Sequence, residues 1–271
     1  MIKRIGFTVL ACSVLFGCGE SVGMNPPRLT DEPYWVVRLN FSDQYVCTGI
    51  VLSEHWLLTA GHCVADAPEG PVEVSHEVFD VRSTAYRGAA ERILHPDYSG
   101  ASSLVTHRWH DVGLVRLSEG ALDIDDRGRL CGITSTFDTL FYGREPLYAV
   151  GYGYLPLSDG GLCSTELGSK KRYDGFLFDT FKGPLVGGPR LVELEGRKDA
   201  LCDGDSGSPL MFDVDGEPSV FAVFSGESFN RLTFYGTLVA PKIAWIESAS
   251  AGTAAPLDCV ADGNDLWECF E

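Results

Sequence analysis

A chain of 271 residues with 45% apolar side chains can bury a large core, and 31 glycines with 14 prolines suit many short strands joined by turns. Its net charge of −17 argues against nucleic acid as a partner and against an electrostatic grip on anionic lipid. The acidity reads as the solvated surface of an exported protein, and no window outside the C-terminal region sustains a helical period.

The chain opens with Lys3 and Arg4 ahead of an apolar run, Ile5 to Phe16, that is too short to cross a bilayer. Positive charge followed by such a run is the pattern of an export signal, over residues 1–17. Leu15-Phe16-Gly17-Cys18 resembles a bacterial lipoprotein box, with Cys18 as the lipidated first residue of the mature chain; Phe16 is an unusual filling for that box. Gly17-Cys18-Gly19 and Gly19-Glu20-Ser21 also offer the small-x-small pattern of ordinary signal cleavage. Two forms are therefore open, one lipid-anchored in the cell envelope through Cys18 and one secreted free.

Residues 18–32 form a polar, proline-containing lead-in. From Pro33 to about residue 120, apolar runs at Tyr34–Leu39, Ile50–Leu52 and Val112–Leu117 alternate with turn residues, as in a first Greek-key barrel. A connector at Ser118–Arg129 leads to a second set over about 130–240, with runs at Leu147–Val150, Phe176–Phe178, Pro209–Phe212, Val220–Phe224 and Tyr235–Val239. Residues 241–249 read as a short closing helix with Pro241 at its start. A tail, 252–271, follows and carries Cys259 and Cys269, which could staple it to itself. Beyond Cys12 and Cys18, seven cysteines fit an oxidising compartment: 47, 63, 131, 163, 202, 259 and 269. No close Cys/His pair other than His62-Cys63 offers ligand spacing, so no metal is expected.

Gly204-Asp205-Ser206-Gly207-Ser208-Pro209 carries the chemistry. It puts a serine on a glycine-flanked turn, where backbone N–H groups can converge on a developing oxyanion. A serine hydroxyl is a poor nucleophile without a base and a carboxylate to orient that base. His62, within Leu57-Leu58-Thr59-Ala60-Gly61-His62-Cys63, and Asp111, within His110-Asp111-Val112-Gly113-Leu114-Val115-Arg116-Leu117, are the candidates. The remaining histidines (55, 76, 95, 107 and 110) have no such setting and read as surface or structural.

In the order His, Asp, Ser, the three segments resemble the chymotrypsin-like (trypsin-family) serine proteases from about Pro33 to Ile246. Pro33-Tyr34-Trp35-Val36-Val37, Gly151-Tyr152-Gly153 and Ala244-Trp245-Ile246 match as well. The resemblance implies an all-β fold, two Greek-key barrels packed face to face with a short C-terminal helix. It implies an exported, monomeric serine endopeptidase acting on protein or peptide substrates through an acyl-enzyme, without cofactor or metal. Ser206 would be the nucleophile, His62 the general base, Asp111 its orienting group, and the N–H groups of Gly204 and Ser206 the oxyanion hole. Cys47 and Cys63 would bridge. No cysteine lies between Cys202 and Cys259 to take the family's usual partner role for Cys202, so that bridge is absent or rerouted, with Cys163 chosen as the substitute; at least one thiol of Cys131, Cys163 and Cys202 lacks an obvious partner. The substrate pocket would involve Ala200, Ser225 and Glu227, with a small or apolar residue preferred at P1. A protease-fold binding protein whose site never matures is the alternative.

Asp205 departs from the family's scheme in its surroundings. There the residue pairs with the ammonium of a newly cut N-terminus beginning Ile-Val-Gly-Gly. The nearest match here, Ser21-Val22-Gly23-Met24, is degenerate, and an acylated Cys18 would leave no free amine near it. Cleavage after Arg28 would leave too short a segment before Pro33. Either signal cleavage near Ser21 makes the activating terminus, or Asp205 has another cationic partner.

Overall fold

Apolar runs become strands here because most are covered on both faces: Trp56–Thr59 is buried at every position and Glu217–Glu227 at seven consecutive ones. In this computed structural model the described residues are 28–30, 33–42, 45–78, 81–100, 105–118, 122, 126–133, 147–154, 163, 169–183, 191–196, 201–214, 216–228, 232–254, 257–261 and 267–269. The expected export signal, Cys18 and Ala200 lie outside them.

The first sheet contains β2 (Val36–Ser42), β3 (Tyr45–Ser53), β4 (Trp56–Thr59), β5 (Val72–Val78), β6 (Val81–Gly88), β7 (Ala90–Leu94) and β8 (Gly113–Leu117). Its order is β6-β5-β2-β3-β4-β8-β7, antiparallel throughout. The second contains β9 (Arg129–Ile133), β10 (Leu147–Gly151), β11 (Lys171–Lys182), β12 (Leu191–Glu195), β13 (Pro209–Val214), β14 (Glu217–Glu227) and β15 (Thr233–Leu238). Pairing runs β10-β11-β12-β15-β14-β13 and back to β10, so six of these strands close into a barrel without free edges. The molecule is all-β with two barrel-like sheets. The helix expected at 241–249 is α2 (Ile243–Ala249), entered through a 3-10 turn at Ala240–Lys242; α1 (Gly61–Ala65) is a single turn after β4.

Strands β5 to β7 were not among the expected runs. In β5, Val72 and Val74 are buried while Glu73, Ser75, His76 and Glu77 are polar, so it lacks the continuous apolar signal of the inner strands. The lead-in also joins a sheet, because β1 (Arg28–Leu29) pairs with β11 at Arg172 and Lys171. The tail extends the second sheet: β16 (Leu257–Ala261) lies parallel to β9, and β17 (Trp267–Cys269) pairs with β16. Cys259 stands opposite Cys131 in that register, and Cys131 is disulfide-bonded, so it is not the free thiol the sequence left open. A Cys259–Cys269 staple concerns side chains outside those described.

Two apolar cores result. One fills the second barrel around Phe176, Phe221, Phe224 and Phe234. The other fills the first barrel and continues into the second half through Tyr148, Tyr152, Met211, Val223 and Ile246. That continuity joins the halves along a seam, and the candidate site sits on it.

Candidate active site

His62 is placed by α1, which starts directly after β4 and is pinned to β3 by the Cys47–Cys63 disulfide. Asp111 follows a 3-10 turn at Val105–His110 and precedes β8, the neighbour of β4, so the sheet brings the two residues together. Gly61 makes the approach possible. A Cβ there would lie 3.1 Å from Asp111 Oδ1 and 3.0 Å from the Val112 nitrogen.

Asp111 is 2% exposed and its two oxygens are fully used. Oδ1 accepts the His62 backbone N–H at 2.8 Å, and Oδ2 lies 2.9 Å from His62 Nδ1 and accepts the Ser225 hydroxyl at 2.5 Å. This set assigns the proton of a neutral His62 to Nδ1 and leaves Nε2 as the acceptor. Burial pushes the His62 pKa down, but the charge and hydrogen bond of Asp111 outweigh it and the net direction is upward. Burial likewise pushes Asp111 up; the His62 charge and hydrogen bonds from His62 and Ser225 reverse that, and the carboxyl lies below its ordinary range.

Ser206 reaches the site from the second half. Its carbonyl accepts the Thr48 N–H of β3 at 2.8 Å and lies 3.7 Å from Cys63 Sγ, next to His62. Gly207 has φ +88°, and a Cβ on it would sit 2.2 Å from both the Thr48 carbonyl and Thr59 Oγ1. Only glycine allows that approach. Thr48 Oγ1 also donates to the Gly204 carbonyl at 3.0 Å and accepts the Tyr152 N–H at 3.1 Å, tying the serine turn to β3. The Ser206 hydroxyl makes no hydrogen bond among the described residues.

Around the turn, Asp205 N–H donates to the Cys202 carbonyl and Ser208 N–H to the Asp205 carbonyl. The N–H groups of Gly204 and Ser206 make no internal hydrogen bond among the described residues, as donors to an oxyanion must. Gly204 adopts φ +93°, and a Cβ on it would meet Gly153 Cα at 3.0 Å.

Asp205 is fully buried. Oδ1 accepts the Gly153 N–H at 2.7 Å, and Oδ2 accepts the Cys202 N–H and the Tyr173 hydroxyl, both at 2.9 Å. Burial, with Asp205 beside it, raises the Tyr173 phenol well above its ordinary 10.0 and keeps it a donor. Cys202 is bridged to Cys163, the substitute that the sequence suggested. Changing Cys163 to serine frees a loop of 39 residues in the unfolded chain. Stability is expected to fall by about 3–4 kcal/mol on loop-entropy grounds, read as a lower urea midpoint.

Four residues contribute in ways that were not foreseen. Ser225, expected at the substrate pocket, commits its hydroxyl to Asp111 and is 3% exposed. Arg108 donates to the Ser225 carbonyl at 2.7 Å, and its charge opposes protonation of His62. Tyr173 and Lys171 share one face of β11, Tyr173 donating to Asp205 and Lys171 to the carbonyl of Gly153, whose N–H bonds Asp205. Two lysines in a row at the head of a strand were the only hint, and their burial was not visible in it. Glu227 is half-buried at the end of β14. His95, Asp97 and His110 also cluster, yet Lys242 Nζ bonds His110 Nδ1 at 2.8 Å and the Asp97 N–H bonds His95 Nδ1 at 3.2 Å, so those nitrogens already have protein partners.

A family model described as Trypsin matches residues 21–245. The chain is 24% identical over 240 residues to vitamin K-dependent protein C of Mus musculus, covering 80% of this chain and 49% of that protein. It is 29% identical over 201 residues to kallikrein 1-related peptidase b3 of Mus musculus, covering 66% of this chain and 70% of that one. The chain thus spans about half the length of the first of these relatives. The solved structure of neuropsin, a serine protease expressed in the limbic system of mouse brain, shares its fold with a TM-score of 0.58 at 17% identity, over 83% of this chain and 98% of neuropsin.

Proposed function

This chain belongs to the trypsin family of serine proteases, and from that we propose an exported endopeptidase that cuts peptide bonds through Ser206, His62 and Asp111. The observation that carries the reading is the buried Asp111 carboxylate, 2.9 Å from His62 Nδ1 and bonded to the His62 N–H as well. That arrangement serves a base whose Nε2 must accept a proton. A merely structural histidine has no need of it.

In the proposed reaction Ser206 Oγ attacks the scissile carbonyl while His62 Nε2 takes its proton. The carbonyl oxygen becomes an oxyanion held by the N–H groups of Gly204 and Ser206, each worth about 3 kcal/mol in the transition state. Collapse breaks the C–N bond, His62 returns the proton to the leaving amine, and an acyl-enzyme remains on Ser206. Water then attacks the ester by the same route, giving the acid and restoring the serine. Asp111 stays ionised and stabilises the imidazolium as it forms.

The reading extends to a small or apolar P1 residue. Ala200, rather than an acidic residue, holds the position that the resemblance gives to the pocket floor, and Glu227 would either narrow the entrance or offer a negative charge to a basic side chain. The disulfides fit export. The mature chain would be lipid-anchored through Cys18 or secreted.

Turnover of an unfolded protein substrate tests the proposal. Hydrolysis by the purified chain at internal peptide bonds is expected. Binding without any cleavage would favour an idle protease-fold binding protein instead.

A further inference from the structure

Burying a carboxylate without a positive partner is costly, and neutral donors alone rarely compensate it. Asp205 has three neutral donors, from Gly153, Cys202 and Tyr173, and it is fully buried. The Lys171 ammonium stands at the same glycine: it donates to the Gly153 carbonyl while the Gly153 N–H is bonded to Asp205. Lys171 is itself fully buried, where a cation is rarely placed, and its charge favours the ionised form of Asp205.

Resting on the protease reading above, we propose that Lys171 is the internal cation that holds Asp205, and with it the Gly204–Ser206 backbone, in catalytic shape, so that the uncut chain is active without a newly freed N-terminus. Lys171 is a positioning residue in this scheme, since it touches neither substrate nor Ser206.

The surrounding chain is built for that pair. Lys171 and Tyr173 alternate on β11 and therefore face the same side, one supplying charge and the other a hydroxyl. Lys171 lies opposite Gly151 across β10 and β11. A Cβ on Gly151 would come within 2.3 Å of Asp205 Oδ1, and one on Gly153 within 2.2 Å of Oδ2. Both glycines clear the space that the carboxylate fills. Burial pushes the Asp205 carboxyl above its ordinary range, with the Lys171 charge the largest influence opposing it.

Residues 28–30 of the lead-in are also seated. Leu29 pairs with Lys171 in the backbone register, Thr30 N–H bonds the Lys170 carbonyl, and Lys170 Nζ bonds the Pro33 carbonyl at 2.9 Å. Arg28 pairs with Asp174 on the same strand at 3.3 Å. Residues 28–30 therefore rest on β11, the strand that also carries Lys171 and Tyr173.

The test compares the full chain with a blocked N-terminus against the chain after limited proteolysis, using a fluorophosphonate and a peptide ester as probes. The blocked, uncut chain is expected to react at the same rate as any cut form. Lys171→Met is expected to lower kcat by about 10²–10³-fold, as for loss of an oxyanion donor, and Lys171→Arg to recover part of it. Reaction only after cleavage, with Lys171→Met as active as the parent in the cut form, would overturn this inference alone. Reaction in neither form would overturn the protease reading and this inference with it. Should Lys171→Met fail to fold, the double variant Lys171→Met/Asp205→Asn is expected to fold better than the single one, because the two charges leave together. Folding no better than the single variant would refute the pairing.

Discussion

Changing Ser206 to alanine lowers kcat on a peptide substrate by about six orders of magnitude, the scale at which loss of a serine nucleophile leaves only binding and the oxyanion hole. The fold barely notices. The Ser206 hydroxyl makes no hydrogen bond among the described residues, while the backbone contacts that seat the turn, Thr48 N–H to the Ser206 carbonyl and Thr48 Oγ1 to the Gly204 carbonyl, survive the change. The unfolding free energy from urea titration is expected to stay within about 0.5 kcal/mol of the parent. A large loss of activity with unchanged unfolding separates a nucleophile from a structural serine. A fall of less than tenfold would remove Ser206 from the mechanism.

Asp111→Asn gives the second large effect, about 10⁴-fold in kcat, because the neutral amide no longer fixes the imidazole tautomer or stabilises its cation. The pH profile carries the diagnostic part. His62 works as a base only when neutral, and Asp111 raises its pKa above the ordinary 6.5, so the parent loses activity as pH falls through a point above that value. In the variant, burial and Arg108 remain and both act downward, so the acid limb moves to lower pH. Stability follows the same pair. The raised His62 contributes stability that is complete below 6.5 and fades as pH rises through its folded value. The lowered Asp111 contributes stability that is complete above 3.8 and fades as pH falls through its folded value. The gap in unfolding midpoint between parent and variant is therefore widest between those two pH values. An acid limb that stays in place would show that Asp111 does not govern His62.

Several parts of this arrangement were legible in the sequence because they depend on local backbone chemistry. Gly204 and Gly207 announce a turn with positive φ, and both have it. The inner strands announce themselves by unbroken apolar runs. The Cys163–Cys202 bridge was reached differently, through the resemblance, which gives Cys202 a partner that this chain lacks at the usual place. What stayed hidden depends on long-range packing. Val72 and Val74 bury themselves in a strand otherwise lined by polar residues, so β5 has no strong pattern. Lys170 and Lys171 would ordinarily be counted as surface, and only the closure of the second barrel brings β11 beneath Asp205. Ser225 gave no sign that its hydroxyl, rather than its strand alone, would matter. It turns towards Asp111 because β14 and the turn before β8 meet at the seam, where Arg108 donates to the Ser225 carbonyl and Thr237 on β15 to that of Arg108.

The most direct test of the central claim is the mass of the fluorophosphonate-treated chain, followed by mapping of the modified peptide. One adduct per chain is expected, on the peptide containing Ser206, and it should be missing from a His62→Ala variant. No adduct, or an adduct on another residue, would contradict the assignment of Ser206, His62 and Asp111 as the catalytic machinery.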